Sequence, residues 1–470
     1  MEISTGLHIY DTLTRKNLEI LGSDGSQVRI YCCGPTVYRD AHIGNLRTFL
    51  LVDLVIRTLR FKNIATLTVQ NITDVGHMSE DFEEDKILQE ALRTNRDPFA
   101  IAREFEEKFH HDLALLNISK SDIYPRASES IDLMHQHMKK LEDLGLIYQG
   151  ADGNVYFSSE KFPSYGHLSG NKLQDLKPGH RYEFQEDGAK NFHADWALWK
   201  PAGARKDMVW DSSWGVGFPG WHIECSAMSL HFLEGHIDLH IGGIDLRFPH
   251  HENERAQSNP VIDDGGEAVS AWLHGEHLLF EGRKMSKSAG NVILLKDVIE
   301  AGFDPLALRF CFLENRYRSQ MDLSWASIKA ADKVLRRWRD KYSERQDLDQ
   351  GPSEFSLQFI EDCHRDFMED LDTPRALLKL RALEKDLTIS DLDKRSIFQG
   401  LEPLFGLDFQ REVSATVELF SSYELDLIEL RKKARAEKDF QESDRLRELL
   451  NQAGIEVRDL PTGQEWSRKK

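Results

Sequence analysis

IYCCGPTVYRDAHIGNLRTF, residues 30–49, reads as strand, turn and helix in a single run. Val28, Ile30 and Tyr31 make a short apolar, β-rich lead, and Gly34-Pro35 breaks it. Beyond the break Leu46, Phe49, Leu50 and Leu54 recur at helical spacing, with Asp53 as the one polar interruption. The turn carries a thiol, Cys33, and the helix opens on His42-Ile43-Gly44-Asn45. A glycine at a helix start lets a ligand come close to the backbone, and the free amides there attract phosphate. One turn therefore offers a metal ligand and a phosphate cradle together.

Outward from this unit, Ile64–Ile72 is again β-rich and ends in Thr73-Asp74. The βαβ pattern predicts a parallel sheet with ligand sites at the carboxyl ends of its strands. From about 117 to 215 turn residues multiply and four tryptophans (196, 199, 210, 214) crowd the end. This reads as an insertion between two halves of a nucleotide-binding domain. The sheet is expected to resume at Pro219–Cys225 and Ile237–Ile241, with a helix from about Pro249. Residues beyond Pro305 are predicted largely helical to about 408, and 424–452 one long charged helix ending at Gly454. A short strand and a turn close the chain.

Lys plus Arg is 60 against 79 for Asp plus Glu, a net charge of −19. That balance argues against indiscriminate nucleic-acid binding and confines such a partner to local basic faces, at Lys333–Lys341, Arg431–Lys438 and Arg468–Lys470. The five cysteines, at 32, 33, 225, 311 and 363, are too few and too scattered for a disulfide framework. No apolar run reaches the roughly 18 residues of a membrane span. The reading is a cytoplasmic protein with no membrane partner.

Three constellations could carry chemistry. His250 and Glu254 stand at i and i+4 on one helix face, while His251 is expected to point roughly 100° away. Taken singly, such a pair is more often a surface pair than a ligand pair. With Cys33 and Cys225 it would complete a four-ligand zinc site. Cys32, the strand neighbour, should face the other way, and Cys311 and Cys363 read as core. Secondly, His42 and Asn45 at a helix start and Lys284 and Lys287 on a separate basic loop could hold a triphosphate from two sides. Thirdly, Arg431–Lys438 reads as a solvated helix face, and Trp466 could stack on a base or cap a small core.

HIGN (42–45) and KMSKS (284–288) resemble the two signatures of class I aminoacyl-tRNA synthetases. YCCGPTVY (31–38), NITD (71–74), PGWHIECSAMS (219–229), FPHHENE (248–254) and RYRSQ (316–320) resemble the cysteine-specific synthetases of that class. The resemblance implies an α/β fold: a Rossmann-type catalytic domain in two halves (1–116 and 216–304), split by a connective insertion (117–215). A linker and helical bundle (305–410) and a small anticodon-binding domain (411–470) would follow. It implies zinc on Cys33, Cys225, His250 and Glu254, and a cysteine pocket of Thr73, Trp221, His240 and Asp245. His42, Asn45 and Lys287 would meet ATP, with Lys284 and Lys287 acting on the departing phosphates and Mg²⁺ accompanying the nucleotide. Arg435, Asp444 and Asp459 would touch tRNA. The implied activity is ATP-dependent ligation of L-cysteine to its tRNA by a monomer. Two departures stand out: Asn45 replaces the second histidine of the parent signature, and HIGGID (240–245) replaces the frequent HGGGSD. A cysteine ligase acting on an amino sugar, a non-catalytic tRNA-binding paralogue and a zinc hydrolase are the rival readings.

Overall fold

The computed structural model describes residues 6–23, 25, 27–75, 85–176, 189–262, 265–285, 290–342, 351–411, 422–436, 439–452, 454–460 and 463–468. At its centre lies β1 (Val28–Cys32), buried along nearly its whole length, as a strand covered on both faces must be. β2 (Thr66–Gln70) lies on one side of it and β3 (Ile237–Gly243) on the other, and β4 (Val269–Gly275) flanks β3. All three pairings are parallel. The chain leaves β1 through α1 (Ile43–Phe61) to reach β2, whereas β3 joins on the opposite side. The order therefore reverses between β1 and β3, which opens a crevice beyond their carboxyl ends.

α1 is buried almost all round, so its propensity matters less than its surroundings. The polar interruption Asp53 is fully buried and meets Arg309 at 2.6 Å and Arg57 at 2.8 Å. Arg309, itself fully buried, also donates to the carbonyls of Leu116, Asn117 and Phe405. It sits in the helix Pro305–Leu313, so this single guanidinium fastens the first βαβ unit to the helical region. Burial pushes its pKa down to about 10, which still leaves it charged at neutral pH.

The insertion holds the helix Ile131–Asp143 and a four-stranded antiparallel sheet, Ile147–Gln149, Val155–Phe157, Trp196–Pro201 and Gly217–Pro219. Trp196 stacks on Phe157 and Trp199 is fully buried, so two of the four tryptophans form its core. Two expectations fail. The sheet does not resume at 219–225: the strand ends at Pro219, and α2 (Trp221–Phe232) follows. Its buried residues include small side chains, Cys225, Ser226, Ala227 and Ser229, that let a helix pack closely, and this context overrides the β-character of Trp-His-Ile. Nor is 424–452 one helix. Ser422–Ala436 and Phe440–Gln452 are separate, because Asp439 accepts the Glu442 N–H at 3.0 Å and caps a fresh start. Leu427, Ile428, Leu446 and Leu450 of this pair pack with Ile455 and Val457 of the closing hairpin. The region beyond Pro305 is largely helical as expected, with five helices among the described residues between Pro305 and Phe405. Among the described residues no helix is long and apolar enough to cross a membrane.

Replacing Arg309 by Met leaves the Asp53 carboxylate buried with Arg57 as its remaining cation. We expect a loss of about 3–5 kcal/mol at neutral pH by urea unfolding. Burial raises the Asp53 pKa, but Arg309 and Arg57 outweigh it and hold it below the usual carboxylate range. Wild-type stability from this group is therefore present above the unfolded pKa, about 3.9, and is lost as pH falls through the folded value. In the variant the carboxyl is instead relieved by protonation, so the difference should shrink on acidification. A difference that stays constant from neutral pH to about pH 4 would contradict this account.

Candidate active site

The crevice beyond β1 and β3 gathers four side chains from three segments. Cys33 follows β1 directly. Cys225 lies on α2, and its helix brings it under the end of β1. His250 and Glu254 come from the entry to, and first turn of, α3 (Glu252–Ser258). All four are at least 94% buried, and their ligand atoms lie within 4.8 Å of one another. Cys33 Sγ is 3.8 Å from Cys225 Sγ and 3.4 Å from Glu254 Oε1, and His250 Nε2 is 2.9 Å from that same oxygen. His250 Nε2 nonetheless closes no hydrogen bond of acceptable geometry. An imidazole nitrogen that faces two thiols and a carboxylate without a well-formed hydrogen bond fits a metal ion.

His251 departs from expectation. Its Nε2 lies 3.4 Å from Cys33 Sγ, and with Cys33, His240 and Glu254 it forms a second set that could hold a metal. Phe248 alone in this stretch is extended (φ −143°, ψ 133°), so the turn of about 100° from His250 to His251 stands. The second set forms because Cys33 and Glu254 belong to both, and His251 meets them beside His240 rather than beside His250. Cys32 is buried and donates to the Cys33 carbonyl, outside both sets, and Cys311 and Cys363 are core.

The electrostatics also call for a cation. Burial lifts the Glu254 pKa, but His240 (2.9 Å) and His250 outweigh it and hold the carboxyl well below its usual range. Burial lowers His250, yet Glu254 and Cys225 bring it up to about 10. The Cys225 thiol is pushed up by burial, but the hydrogen bond from Cys33 and the nearby His250 outweigh this and bring it to about 6, while burial drives Cys33 well up. The pair thus shares one thiolate. Burial keeps His251 well below its usual value and brings His274 to about 3, so both are neutral.

Around this cluster Trp221 stacks on His250 with centroids 4.3 Å apart, and His240 stacks on Trp272. Thr73 is buried at the end of the β2 loop, whereas Asp245 is exposed and interacts electrostatically with His42. The HIGGID departure is explained by the pleat. His240 and Gly242 share one face of β3, and Ile241 points into the core on the other. A Cβ at Gly242 would sit 2.4 Å from the His251 ring, so this glycine makes room for that histidine.

His42 is the N-cap of α1. Its Nδ1 accepts the Asn45 N–H at 3.2 Å, and Asn45 Oδ1 accepts the His42 N–H at 3.3 Å. This reciprocal box uses one acceptor of each side chain and leaves Nε2–H of His42 and the amide NH₂ of Asn45 as donors. Burial and Arg39 lower the His42 pKa, which favours the neutral ring. Lys284 is exposed and paired across a short hairpin with Leu279, and a Cβ on Gly44 would lie 3.1 Å from the Met285 methyl. The two signature segments therefore meet. Lys287 lies outside the described residues. Arg47, one turn into α1, binds carbonyls of Glu276, His277, Arg316 and Ser319 at 2.8–3.2 Å and so anchors the flanks of that hairpin. In the C-terminal unit Arg435 and Asp444 are exposed, Trp466 pairs with Val457 across the hairpin and is 39% exposed, and Asp459 lies on the same strand as Val457. Arg431, expected on a solvated face, is buried and donates to Gln464.

The family described as tRNA synthetases class I (C) catalytic domain matches residues 20–333, and the cysteinyl-tRNA ligase anticodon binding domain matches 420–466. A cysteine–tRNA ligase of Thermus thermophilus is 38% identical over 482 aligned residues, covering 98% of this chain and 99% of its own. The chain belongs to the cysteine–tRNA ligase family. Its members are ATP-dependent aminoacyl-tRNA ligases of class I. A cysteine–tRNA ligase of Treponema denticola is 36% identical over 98% of this chain and 99% of its own. The fold extends further: a Mycobacterium tuberculosis methionyl-tRNA synthetase superposes with a TM-score of 0.55 at 14% identity, covering 81% of this chain and 92% of that one.

Metal analysis of the purified protein should find one tightly held transition metal per chain. His250→Ala should lower retention after dialysis by about 10-fold or more, whereas Cys311→Ser, in the helical core, should keep it. Equal retention in both variants would dissociate the metal from this cluster.

Proposed function

We propose that the protein ligates L-cysteine to its tRNA in two half-reactions, as a monomer in the cytoplasm. The cysteine carboxylate attacks the α-phosphate of ATP, giving cysteinyl-adenylate and pyrophosphate, and the acyl group then moves to the terminal ribose hydroxyl. The carrying observation is the buried cluster of two thiols, an imidazole and a carboxylate at the carboxyl end of β1, beside the donors of the HIGN helix start. The full-length family match and the C-terminal match at 420–466 support a tRNA acceptor over an amino sugar. Five free thiols suit a reducing compartment.

Cys33, Cys225, His250 and Glu254 would hold Zn²⁺. Zinc bound there would take the substrate's sulfur as thiolate, a ligand that serine's harder and less acidic alcohol does not match. Steric pockets separate near-isosteres by only about 10²-fold, so reading sulfur by coordination makes an editing domain unnecessary. Thr73, Trp221, His240 and Asp245 would surround the rest of the amino acid. His42 Nε2–H, the Asn45 amide and the α1 N-terminus would donate to the phosphates, with Mg²⁺ on the nucleotide. Lys284 and Lys287 would stabilise charge on the departing pyrophosphate. Arg435, Asp444, Asp459 and Trp466 would contact the tRNA.

ATP–pyrophosphate exchange should require cysteine and discriminate strongly against serine. Cys225→Ser should reduce that preference to about 10²-fold or below. Undiminished preference in the variant would remove zinc from substrate selection. Lys284→Ala should lower kcat by about 10²-fold while leaving KM for cysteine within twofold; a rise confined to KM for cysteine would assign Lys284 elsewhere.

A further inference from the structure

Asn71 has no part in the chemistry above, yet it is the side chain on which the two halves of the site converge. It follows β2 immediately and is fully buried. Its Oδ1 accepts the Gly34 N–H at 2.8 Å, one residue beyond Cys33. The same oxygen lies 3.7 Å from Cys225 Sγ. Its Nδ2 donates to Thr73 Oγ1 at 3.0 Å. Because Gly34 N–H can only donate, the amide cannot be turned round, so its donor side is committed to Thr73.

The backbone leaves little slack around this clasp. The loops after β1 and β2 run side by side through Val37 N–H to Thr73 O (3.2 Å) and Thr73 N–H to Pro35 O (3.1 Å). A Cβ at position 34 would fall 1.5 Å from the Asn71 carbonyl oxygen, so only glycine permits the approach. With its oxygen accepting a hydrogen bond from Asn71 Nδ2, the Thr73 hydroxyl must direct its own hydrogen elsewhere. Its nearby carboxyl is Glu224, fully buried, whose pKa burial raises and Thr73 lowers, and whose oxygens make no hydrogen bond of good geometry.

We infer that Asn71 is a positioning residue for amino-acid selection: it fixes the Thr73 hydroxyl, in both place and polarity, relative to the thiol ligands Cys33 and Cys225. A substrate gripped by its sulfur reaches Thr73 only if that span is held, and misplacement by about 1 Å costs on the order of 10²-fold. The inference rests on the reading of this site as a cysteine-activating centre. Asn71 touches the ligand loop and the pocket, not the substrate.

Two substitutions separate its two hands. Asn71→Asp keeps an acceptor for Gly34 N–H but replaces the donor to Thr73 by an acceptor, which reverses the Thr73 O–H. Asn71→Leu removes both contacts. In ATP–pyrophosphate exchange Asn71→Asp should raise KM for cysteine about 10–100-fold while KM for ATP stays within twofold. Thr73→Val should raise it similarly, and the double variant should exceed the larger single effect by no more than about twofold, as expected when one residue acts through the other. Chelator competition gives a readout independent of activity: Asn71→Leu should weaken metal affinity about 10-fold or more and Asn71→Asp by less than about threefold. An Asn71→Asp enzyme with KM for cysteine within twofold of wild type, equal increases in both KM values, or additive single effects would each overturn the proposal. Should Asn71→Leu fail to fold, Asn71→Asp and Thr73→Val carry the test. A wild-type protein without cysteine-dependent exchange would sink the activity reading, whereas the chelator comparison would still decide whether Asn71 clasps the ligand loop.

Discussion

Two thiols, an imidazole and a carboxylate buried within 4.8 Å of one another form an arrangement that protein alone holds poorly. Burial disfavours every charge in the group, yet Glu254 stays ionised and His250 protonated because each stabilises the other. Breaking one partner leaves the remainder uncompensated. A divalent cation held by Cys33, Cys225, His250 and Glu254 would resolve the conflict, since its charge would take the place of the proton on His250 and of the second thiol proton. The position of β1 between β2 and β3, the helical turn of α2 after Gly220 and the irregular entry to α3 all serve to bring these donors together.

The phosphate side of the crevice is built from the same economy of parts. His42 and Asn45 cap α1 with one atom each and keep their donors for a ligand. The cap therefore fixes the orientation of both side chains. Arg47, two residues on, secures the carbonyls that flank the hairpin bearing Lys284. One helix start thus orients the free donors of His42 and Asn45 and anchors the base of the opposing hairpin.

The βαβ core and the helical region after Pro305 were legible in the chain, because local pattern is strong there, and motif spacing named the residues that supply the four donors without showing that they meet. The reading failed where packing overrode propensity or where a local cap broke a long pattern. Trp-His-Ile at 221–223 looks like strand but is helix, since the small residues that follow let it pack against α3 and the insertion. Asp439 splits what charge patterning shows as one helix. His251 joins the cluster because Cys33 and Glu254 also come within its reach, beside His240 from β3, a long-range meeting no periodicity contains. The adjacent pair His250-His251 was the available sign. Asn71 opens the NITD motif, yet nothing in the motif pointed to its part in the site, as a buried asparagine after a strand is ordinary until its partners are known.

The sequence by itself determined the fold class, the family and the residue types at the site, because hydrophobic period, turn chemistry and long motifs are local properties. Only the tertiary structure decided which donors meet, which histidine faces which atom and which amide ties Cys33 to Thr73. Those outcomes depend on contacts between segments up to 221 residues apart, and their geometry is set by strand order, pleat and packing rather than by any neighbouring residue.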